Sequence, residues 1–300
     1  MIRILNKSDI PSITKLLNDS MEYDKIFFDG LVNEKIFGDE RYDLQSTLVE
    51  EQNGKIIGFI NGVYEKREKR SRGWIKLLAV HPEHRLKSVG SNLIKEVENH
   101  FKKLGIEYIT IMDSAPNYYM PGLDFRYTEG NCFLLKNGYE KTGENINLIA
   151  DIGPGQFNVD SDIKRLNKDG VIIKRADKNN KEAVIKFLTQ AFPSWLGEVN
   201  ETFKNNLVSL YISIIDDKVV GFSAYDGNNR GIGWFGPMGV LPVTRGKGIG
   251  AILCELCLRD IALQGHKQSI IPWVGPVRFY SKVCNSRIDR LFWTYRKNLK

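Results

Sequence analysis

The chain has 300 residues, of which 42% are hydrophobic and 26% charged, and its formal net charge is +7. This composition is typical of a globular protein and excludes a disordered or fibrous chain, while the length favours two domains. Charges interrupt the N-terminus at Arg3, Lys7 and Asp9, and no run of about eighteen apolar residues occurs. We therefore predict a cytoplasmic protein with no membrane partner.

Neither the basic residues nor the cysteines indicate a specialised site. In the densest basic stretch, residues 64–72 (YEKREKRSR), glutamates alternate with the cations, which favours a solvated strand end or turn over a nucleic-acid site. The four cysteines are too few and too scattered for a disulfide framework. Cys254 and Cys257 form a C-x-x-C inside a predicted helix, without a second pair or histidine partners, so we expect core packing and no metal.

The first elements of the chain are repeated later in it. The opening IRILNKSDIPSITKLL predicts a strand, a polar turn and a helix, and residues 172–188 (IIKRADKNNKEAVIKFL) repeat this pattern. A β-hairpin is predicted after each helix, with turns at Asn53-Gly54 and Asp216-Asp217. We therefore predict a first domain at residues 1–152, a polar linker at 153–170 and a second domain at 171–300.

A strand, a glycine loop and a helix are predicted from Met238 to Gly265. The loop reads RGKGIG at residues 245–250, and RLKSVG at residues 85–90 is its counterpart in the first copy. Glycines let the backbone approach a ligand closely, and the start of a helix adds unpaired N–H groups and partial positive charge. The loop is therefore predicted to bind an anion, phosphate above all.

This loop resembles the pyrophosphate loop of the GNAT superfamily of N-acetyltransferases, Q/R-x-x-G-x-G/A, at Arg245, Gly248 and Gly250. With the repeat, the whole chain resembles a tandem pair of GNAT domains. The resemblance implies an α/β fold in which each domain is a twisted mixed sheet flanked by helices, and in which the fourth and fifth strands splay around acetyl-CoA. It implies that the co-substrate acetyl-CoA is bound by Met238, Gly239, Val240, Arg245, Gly246, Lys247, Gly248, Ile249, Gly250, Phe279 and Lys282.

The same resemblance indicates which copy is catalytic. The family commonly uses a Tyr as general acid, in a motif like F-Y-x-K-x-G-F, and the second copy has Tyr280 in the Tyr position. The first copy has Leu134 there and Ser88 at the first glycine of the loop. The resemblance therefore implies a silent first copy, with Tyr280 catalytic and backbone N–H groups around Gly239 and Val240 polarising the acetyl carbonyl. The VCNSRI stretch after Lys282 departs from the family motif.

The acceptor is predicted to be the primary amine of a small polar molecule. Trp273 offers a flat ring for stacking near Tyr280, and an acidic residue would orient the amine. The acidic candidates are Asp226, Asp289 and Asp124, which lies in the Tyr-rich insertion at residues 117–130. A narrower resemblance to glucosamine and glucosaminide N-acetyltransferases favours an amino sugar.

Other readings of the sequence stay open. The chain could be a non-catalytic acyl-CoA-binding or sensory protein. It could instead acetylate another amine, such as a polyamine, a protein lysine or N-terminus, or the small-molecule acceptor of a mycothiol-synthase-like enzyme. The sequence does not assign a general base or an oligomeric state, although tandem copies that pack on each other are compatible with a monomer.

Overall fold

The computed structural model describes residues 1–66, 68 and 71–299, so Arg67, Lys69 and Arg70 of the basic stretch and the final Lys300 lie outside the described residues. The strands are β1 (Ile2–Ile4), β2 (Tyr42–Gln52), β3 (Lys55–Glu65), β4 (Arg72–Val80), β5 (Tyr108–Ile111), β6 (Leu123–Asp124), β7 (Glu140–Asp151), β8 (Ile172–Arg175), β9 (Leu210–Ile215), β10 (Lys218–Tyr225), β11 (Phe235–Val240), β12 (Gln268–Ile271) and β13 (Arg287–Asn298). The helices are α1 (Ile10–Ser20), α2 (Asp29–Ile36), α3 (Val89–Lys103), α4 (Thr128–Lys136), α5 (Asp160–Lys168), α6 (Lys181–Ala191), α7 (Leu196–Thr202), α8 (Ile249–Leu263) and α9 (Val277–Cys284).

The chain forms two compact units, which we call the first unit (Met1–Asn145 with Leu291–Lys300) and the second unit (Ile146–Arg290). These bounds differ from the predicted domain limits because two long strands cross them. The end of β7 pairs with β12 in the second unit, and the end of β13 pairs with β5 in the first. The segment predicted as a linker also contains α5, whose Leu166 is buried in the second unit.

The first unit is a mixed sheet with helices packed on it. Its strands follow the order β1-β2-β3-β4-β5-β13, and only the β4–β5 pair is parallel. α1 presents Ile13, Leu16 and Leu17 to the core, as their spacing predicts. The parallel pairing with β5 covers Arg72 to Ile75 only, while β4 continues to Val80, so the two strands splay apart as the resemblance implies.

The second unit has helices on both faces of its sheet. Its antiparallel strands follow the order β11-β10-β9-β8, and alternate residues of these strands enter two different apolar clusters. One cluster contains side chains of α5, α8 and α9, and the other contains side chains of α6 and α7. In the described residues, β11 meets β12 only at a parallel bridge between Trp234 and Ile270, so these strands splay as well.

Both predicted hairpins are confirmed. Asn53 and Gly54 have φ of 51° and 72°, and Asp216 and Asp217 have φ of 48° and 59°, as a type I′ turn requires. The two copies also share their strand register, because Gly58 pairs with Val80 and Gly221 pairs with Val240. The duplicated organisation is therefore present in the fold.

Within the described parts of the chain, no helix is both long enough and apolar enough to cross a membrane.

Candidate active site

The glycine loop of the second unit is an exposed cradle of backbone N–H groups. Gly246 and Gly248 have φ of 84° and 86°, a left-handed conformation that costs other residues about 1–2 kcal/mol. The first hydrogen bond of α8 joins the Ile252 N–H to the Gly248 carbonyl at 3.2 Å. The N–H groups of residues 249–251 therefore have no acceptor inside the helix, and the arrangement suits an anion.

The cations of this loop are available to a ligand. Arg245 and Lys247 are exposed, and neither has a salt-bridge or side-chain hydrogen-bond partner among the described residues. In the first unit, Arg85 donates to Glu129 Oε2 at 2.7 Å and to the Ser20 carbonyl at 2.9 Å. Lys87 donates to the Glu83 carbonyl at 2.8 Å. The first unit's loop cations are therefore already satisfied by the protein.

The first unit's loop also carries side chains where the second unit has none. Leu86 and Ser88 have φ of 59° and 64°, at the positions that Gly246 and Gly248 occupy in the other loop. Ser88 is exposed, so its Cβ lies at the surface of the loop. The two loops thus have the same backbone turn, and in the second neither left-handed position carries a side chain of its own that would meet an approaching phosphate.

Among the described residues, no strand pairs with one edge of β11 beyond the bridge at Trp234. The Leu241 N–H donates to the Val220 carbonyl at 2.9 Å, and Gly239 pairs with Phe222. Because antiparallel residues alternate in direction, the Gly239 N–H points to β10, whereas the Val240 N–H points to the open edge. Of the two predicted oxyanion donors, Val240 is therefore the one available to a ligand.

An aromatic pair that sequence reasoning missed lies against the same strand. Phe192 and Trp195, between α6 and α7, stack with ring centroids 5.2 Å apart and 19° between the ring planes. A Cβ on Gly239 would lie 2.9 Å from Phe192 Cζ and 3.1 Å from Trp195 Cζ3, so this glycine is required by close packing. The AFPSW stretch directly after a predicted helix was the available signal.

Tyr280 lies on α9 and is 8% exposed, with its ring edge-on to Phe235 of β11 at 5.8 Å. Burial raises the pKa of Tyr280 far above its ordinary value, and the nearby Cys254 and Cys284 thiols add smaller contributions in the same direction. The hydroxyl therefore stays protonated at physiological pH and is a hydrogen-bond donor. Phe279 and Met238 both come within 3.6 Å of the position that a Cβ on Gly250 would take, so α9, β11 and the loop meet there.

The remaining predicted cofactor residues differ in exposure. Ile249 is buried in the core, and its contribution to a ligand is limited to its backbone N–H. Lys282 is exposed on α9.

Trp273 follows the end of β12, and hydrogen bonds of the backbone fix its position. Its φ is 49°, its N–H donates to Asn147 Oδ1 at 2.9 Å, and the neighbouring Val274 N–H donates to the Ile146 carbonyl at 3.0 Å. Asn147 is 1% exposed, whereas Trp273 is 39% exposed. A fixed backbone with an exposed ring is a suitable stacking surface.

Of the three acidic candidates, Asp226 lies away from the glycine loop. Asp226 lies at the far end of β11, where its N–H donates to the Trp234 carbonyl at 3.1 Å, about 20 Å along the strand from Val240. It lines a cavity of about 230 Å³ together with Asn205 and Arg230. Asp124, in the first unit, is buried and forms a 2.7 Å ion pair with Arg126. Asp289 is exposed on β13.

The strands β4 and β11 each contain a shift of register. A buried lysine lies at the shift in β4, and a glycine lies at the shift in β11. Lys76 and Gly236 are 160 positions apart, as are Arg85 and Arg245, and each lies where the register of its strand shifts. Lys76 Nζ is buried and donates to Asp39 Oδ2 at 2.7 Å and to the Lys35 carbonyl at 2.6 Å. Burial lowers the pKa of Lys76 to about 7, although Asp39 acts in the opposite direction. A Cβ on Gly236 would meet no heavy atom within 4 Å, so the second unit keeps this space open.

In the part of the chain that the structure describes, one group of side chains has the composition and spacing of a metal site. The ligand atoms of His81, Glu83 and His84, just before the first unit's loop, all lie within 4.8 Å of one another. The absence of a metal from the reaction stays a prediction.

Comparison with known proteins identifies the fold. The sequence model of the Acetyltransferase (GNAT) family matches residues 10–120. A comparison with curated protein sequences gives no match.

Three solved structures share the fold over the full length of the chain. The glucosamine N-acetyltransferase region of a fungal multi-domain GH3 β-N-acetylglucosaminidase has a TM-score of 0.82 at 21% identity, covering 99% of this chain, which spans only 38% of that longer one. A GCN5-related N-acetyltransferase from Sphaerobacter thermophilus has a TM-score of 0.71 at 15% identity, covering 100% of this chain and 96% of its own. A tandem GNAT protein from the clavulanic acid biosynthesis pathway has a TM-score of 0.68 at 12% identity, covering 100% and 98%. Residues 10–120 therefore match the GNAT family in sequence, and the whole chain shares the fold of these GNAT structures.

Proposed function

We propose that the second unit transfers the acetyl group of acetyl-CoA to the primary amine of a small polar acceptor. One observation carries this assignment: the loop at residues 245–250 combines an unobstructed backbone with two unpaired cations among the described residues. The corresponding loop of the first unit has side chains at both left-handed positions, and its cations are bonded to the protein. The family match itself covers the first unit, so the choice of the second rests on this contrast.

The proposed cofactor position follows from the free donors. The diphosphate of CoA lies on the N–H groups at residues 249–251, with Arg245 and Lys247 beside it. The pantetheine arm follows the open edge of β11, where its amides pair with the backbone of Met238 and Val240. The Val240 N–H then donates to the thioester carbonyl oxygen, the atom on which negative charge develops.

The proposed reaction is direct transfer. The neutral amine attacks the thioester carbonyl, a C–N bond forms, and the oxyanion collapses with breakage of the C–S bond. The CoA thiolate takes a proton from Tyr280, and the amine loses one to a base that we leave unassigned. Because burial raises the pKa of Tyr280, its hydroxyl is protonated and can donate a hydrogen bond to the departing sulfur.

We propose an amino sugar as the acceptor. Trp273 presents an exposed ring of the kind that stacks on the C–H face of a sugar, and the open space at Gly236 lies on the strand that carries the proposed oxyanion donor. Structural likeness to a glucosamine N-acetyltransferase region adds support to this choice. Asp226 and Asp124 have other partners and are no longer the favoured amine ligands.

A thiol-release assay with acetyl-CoA tests the proposal across glucosamine, chitosan oligomers, polyamines and lysine-containing peptides. We expect turnover with glucosamine or its oligomers above the rate with any peptide. Turnover with peptides alone would contradict the acceptor assignment. CoA binding without release of thiol for any amine would instead indicate a non-catalytic acyl-CoA-binding protein.

A further inference from the structure

The segment between the two copies supplies a helix to the second unit. Leu166 of α5 is buried in the same cluster as Ile249 and Leu253 of α8. α5 is therefore fixed against the helix that begins at the glycine loop. A polar segment that packs in this way can place its charged side chains at a defined position.

Three contacts give the direction of α5. Asp160 Oδ1, at its start, lies 3.9 Å from Arg259 Nη1 in the third turn of α8. Asp162 affects the pKa of Glu255, one turn nearer the loop, which is raised by burial and then by this carboxylate. Arg165 Nη2 lies 3.6 Å from the position that a Cβ on Gly248 would take. α5 therefore runs past α8 in the opposite direction, and its basic end reaches the loop.

The charges at this place favour a bound anion. The Arg165 side chain is 52% exposed, and its described partner is Asp162 Oδ1 at 3.2 Å. Arg165 lies beside the positive end of α8, and Arg245 and Lys247 belong to the same loop. Like charges gathered at one site repel one another, and an anion of two or more charges relieves this repulsion.

We propose that Arg165 is a phosphate ligand of the cofactor site and binds the diphosphate of CoA at Gly248. This inference rests on the proposed function, because it requires the glycine loop to hold CoA. The guanidinium presents forked N–H donors that match phosphate oxygens, and its Nη2, 3.6 Å from the position that a Cβ on Gly248 would take, lies within hydrogen-bond reach of a group resting there. The site is thereby completed by a residue from outside the glycine motif.

Two variants of α5 test the proposal by calorimetric titration. Arg165→Gln removes the proposed ligand, and Lys164→Gln removes the same charge from the neighbouring residue of the helix. Each is titrated with CoA and with 3′-dephospho-CoA, which keeps the diphosphate. We expect Arg165→Gln to weaken both ligands about tenfold, since a hydrogen bond to a charged group is lost, and Lys164→Gln to stay within about twofold of the wild type.

Each outcome decides a separate claim. A loss confined to CoA would contradict the diphosphate contact and assign Arg165 to the 3′-phosphate. Equal affinities of the two variants for both ligands would overturn the role of Arg165. Failure of the wild type to bind CoA would instead overturn the proposed function. Thermal unfolding of both variants shows that the fold is kept, and Arg165→Lys should restore part of the affinity because it restores the charge.

Discussion

The loops at residues 85–90 and 245–250 have the same backbone path and opposite surroundings. Arg85 and Arg245 both have φ of −66°, and Ser88 and Gly248 both adopt the left-handed conformation at the start of a helix. In the first unit, a serine and a paired arginine occupy this framework. In the second unit, the framework carries glycine, and its cations have no partner in the part of the chain that the structure describes. The comparison teaches that the turn is kept in both units, while the side chains around it differ.

The largest expected effect is on kcat, and it should be seen for a change in α9 and not for the matched change in α4. Tyr280→Phe should lower kcat about 100- to 1,000-fold, because the departing thiolate loses its proton donor. CoA affinity should stay unchanged. Steady-state kinetics and calorimetry measure both quantities.

Leu134→Ala is the matched change in the first unit. Leu134 is 3% exposed, so the variant should lower the free energy of unfolding by about 2–5 kcal/mol and leave the kcat of the folded fraction unaltered. Loss of turnover in Leu134→Ala, with full activity in Tyr280→Phe, would reverse the assignment of the two copies.

Trp273→Ala should raise the KM for the acceptor about tenfold, because a stacking surface is removed. The affinity for acetyl-CoA should not change, since the glycine loop is untouched. Phe125→Ala is the control, because Phe125 is an exposed aromatic of the first unit. An acceptor KM equal to that of the wild type would exclude Trp273 from the acceptor site.

Ser88→Gly gives the first loop the glycine that the second loop has at the corresponding position. Relief of the left-handed conformation at Ser88 should raise the free energy of unfolding by about 1 kcal/mol, as measured by denaturant titration. The variant should not gain a second CoA site, because Arg85 and Lys87 remain bonded to the protein. Appearance of a second site would show that the serine alone keeps the first loop empty.

The smallest expected effect concerns pH, because we expect no fall in activity on the alkaline side. The rate should rise with pH as the acceptor amine loses its proton and then stay level up to about pH 10. Because the pKa of Tyr280 is raised, the general acid keeps its proton over this whole range. A pH–rate profile that falls between about pH 8 and 9 would show that a group of lower pKa supplies the proton.

Local patterns predicted the parts of the fold that depend on local physics. The Asn53-Gly54 and Asp216-Asp217 turns, and the helix that begins after Gly248, each follow from conformations that few residues adopt. Strand membership could not be predicted in this way, because the pairing of β7 with β12 joins Asp151 to Gln268, far apart in sequence.

The same distinction applies to the site. The glycine loop was visible in the sequence because its residue types alone favour an anion. The position of Asp226 could not be predicted because it depends on the direction of β11, and Phe192 and Trp195 were missed because their packing against Gly239 is made only after folding. α5 was taken for a linker because its composition is polar, although the buried Leu166 and the partly buried Ile163 fix it to the core.

Titration of CoA into matched loop variants tests the central claim most directly. Gly248→Val places a branched side chain in the left-handed position at the phosphate cradle, and Ser88→Val makes the same change in the first unit. We predict one CoA per chain in the wild type and in Ser88→Val, and an affinity at least about 30-fold weaker in folded Gly248→Val. Unchanged binding in Gly248→Val, with binding lost in Ser88→Val, would contradict the account and place the cofactor in the first unit.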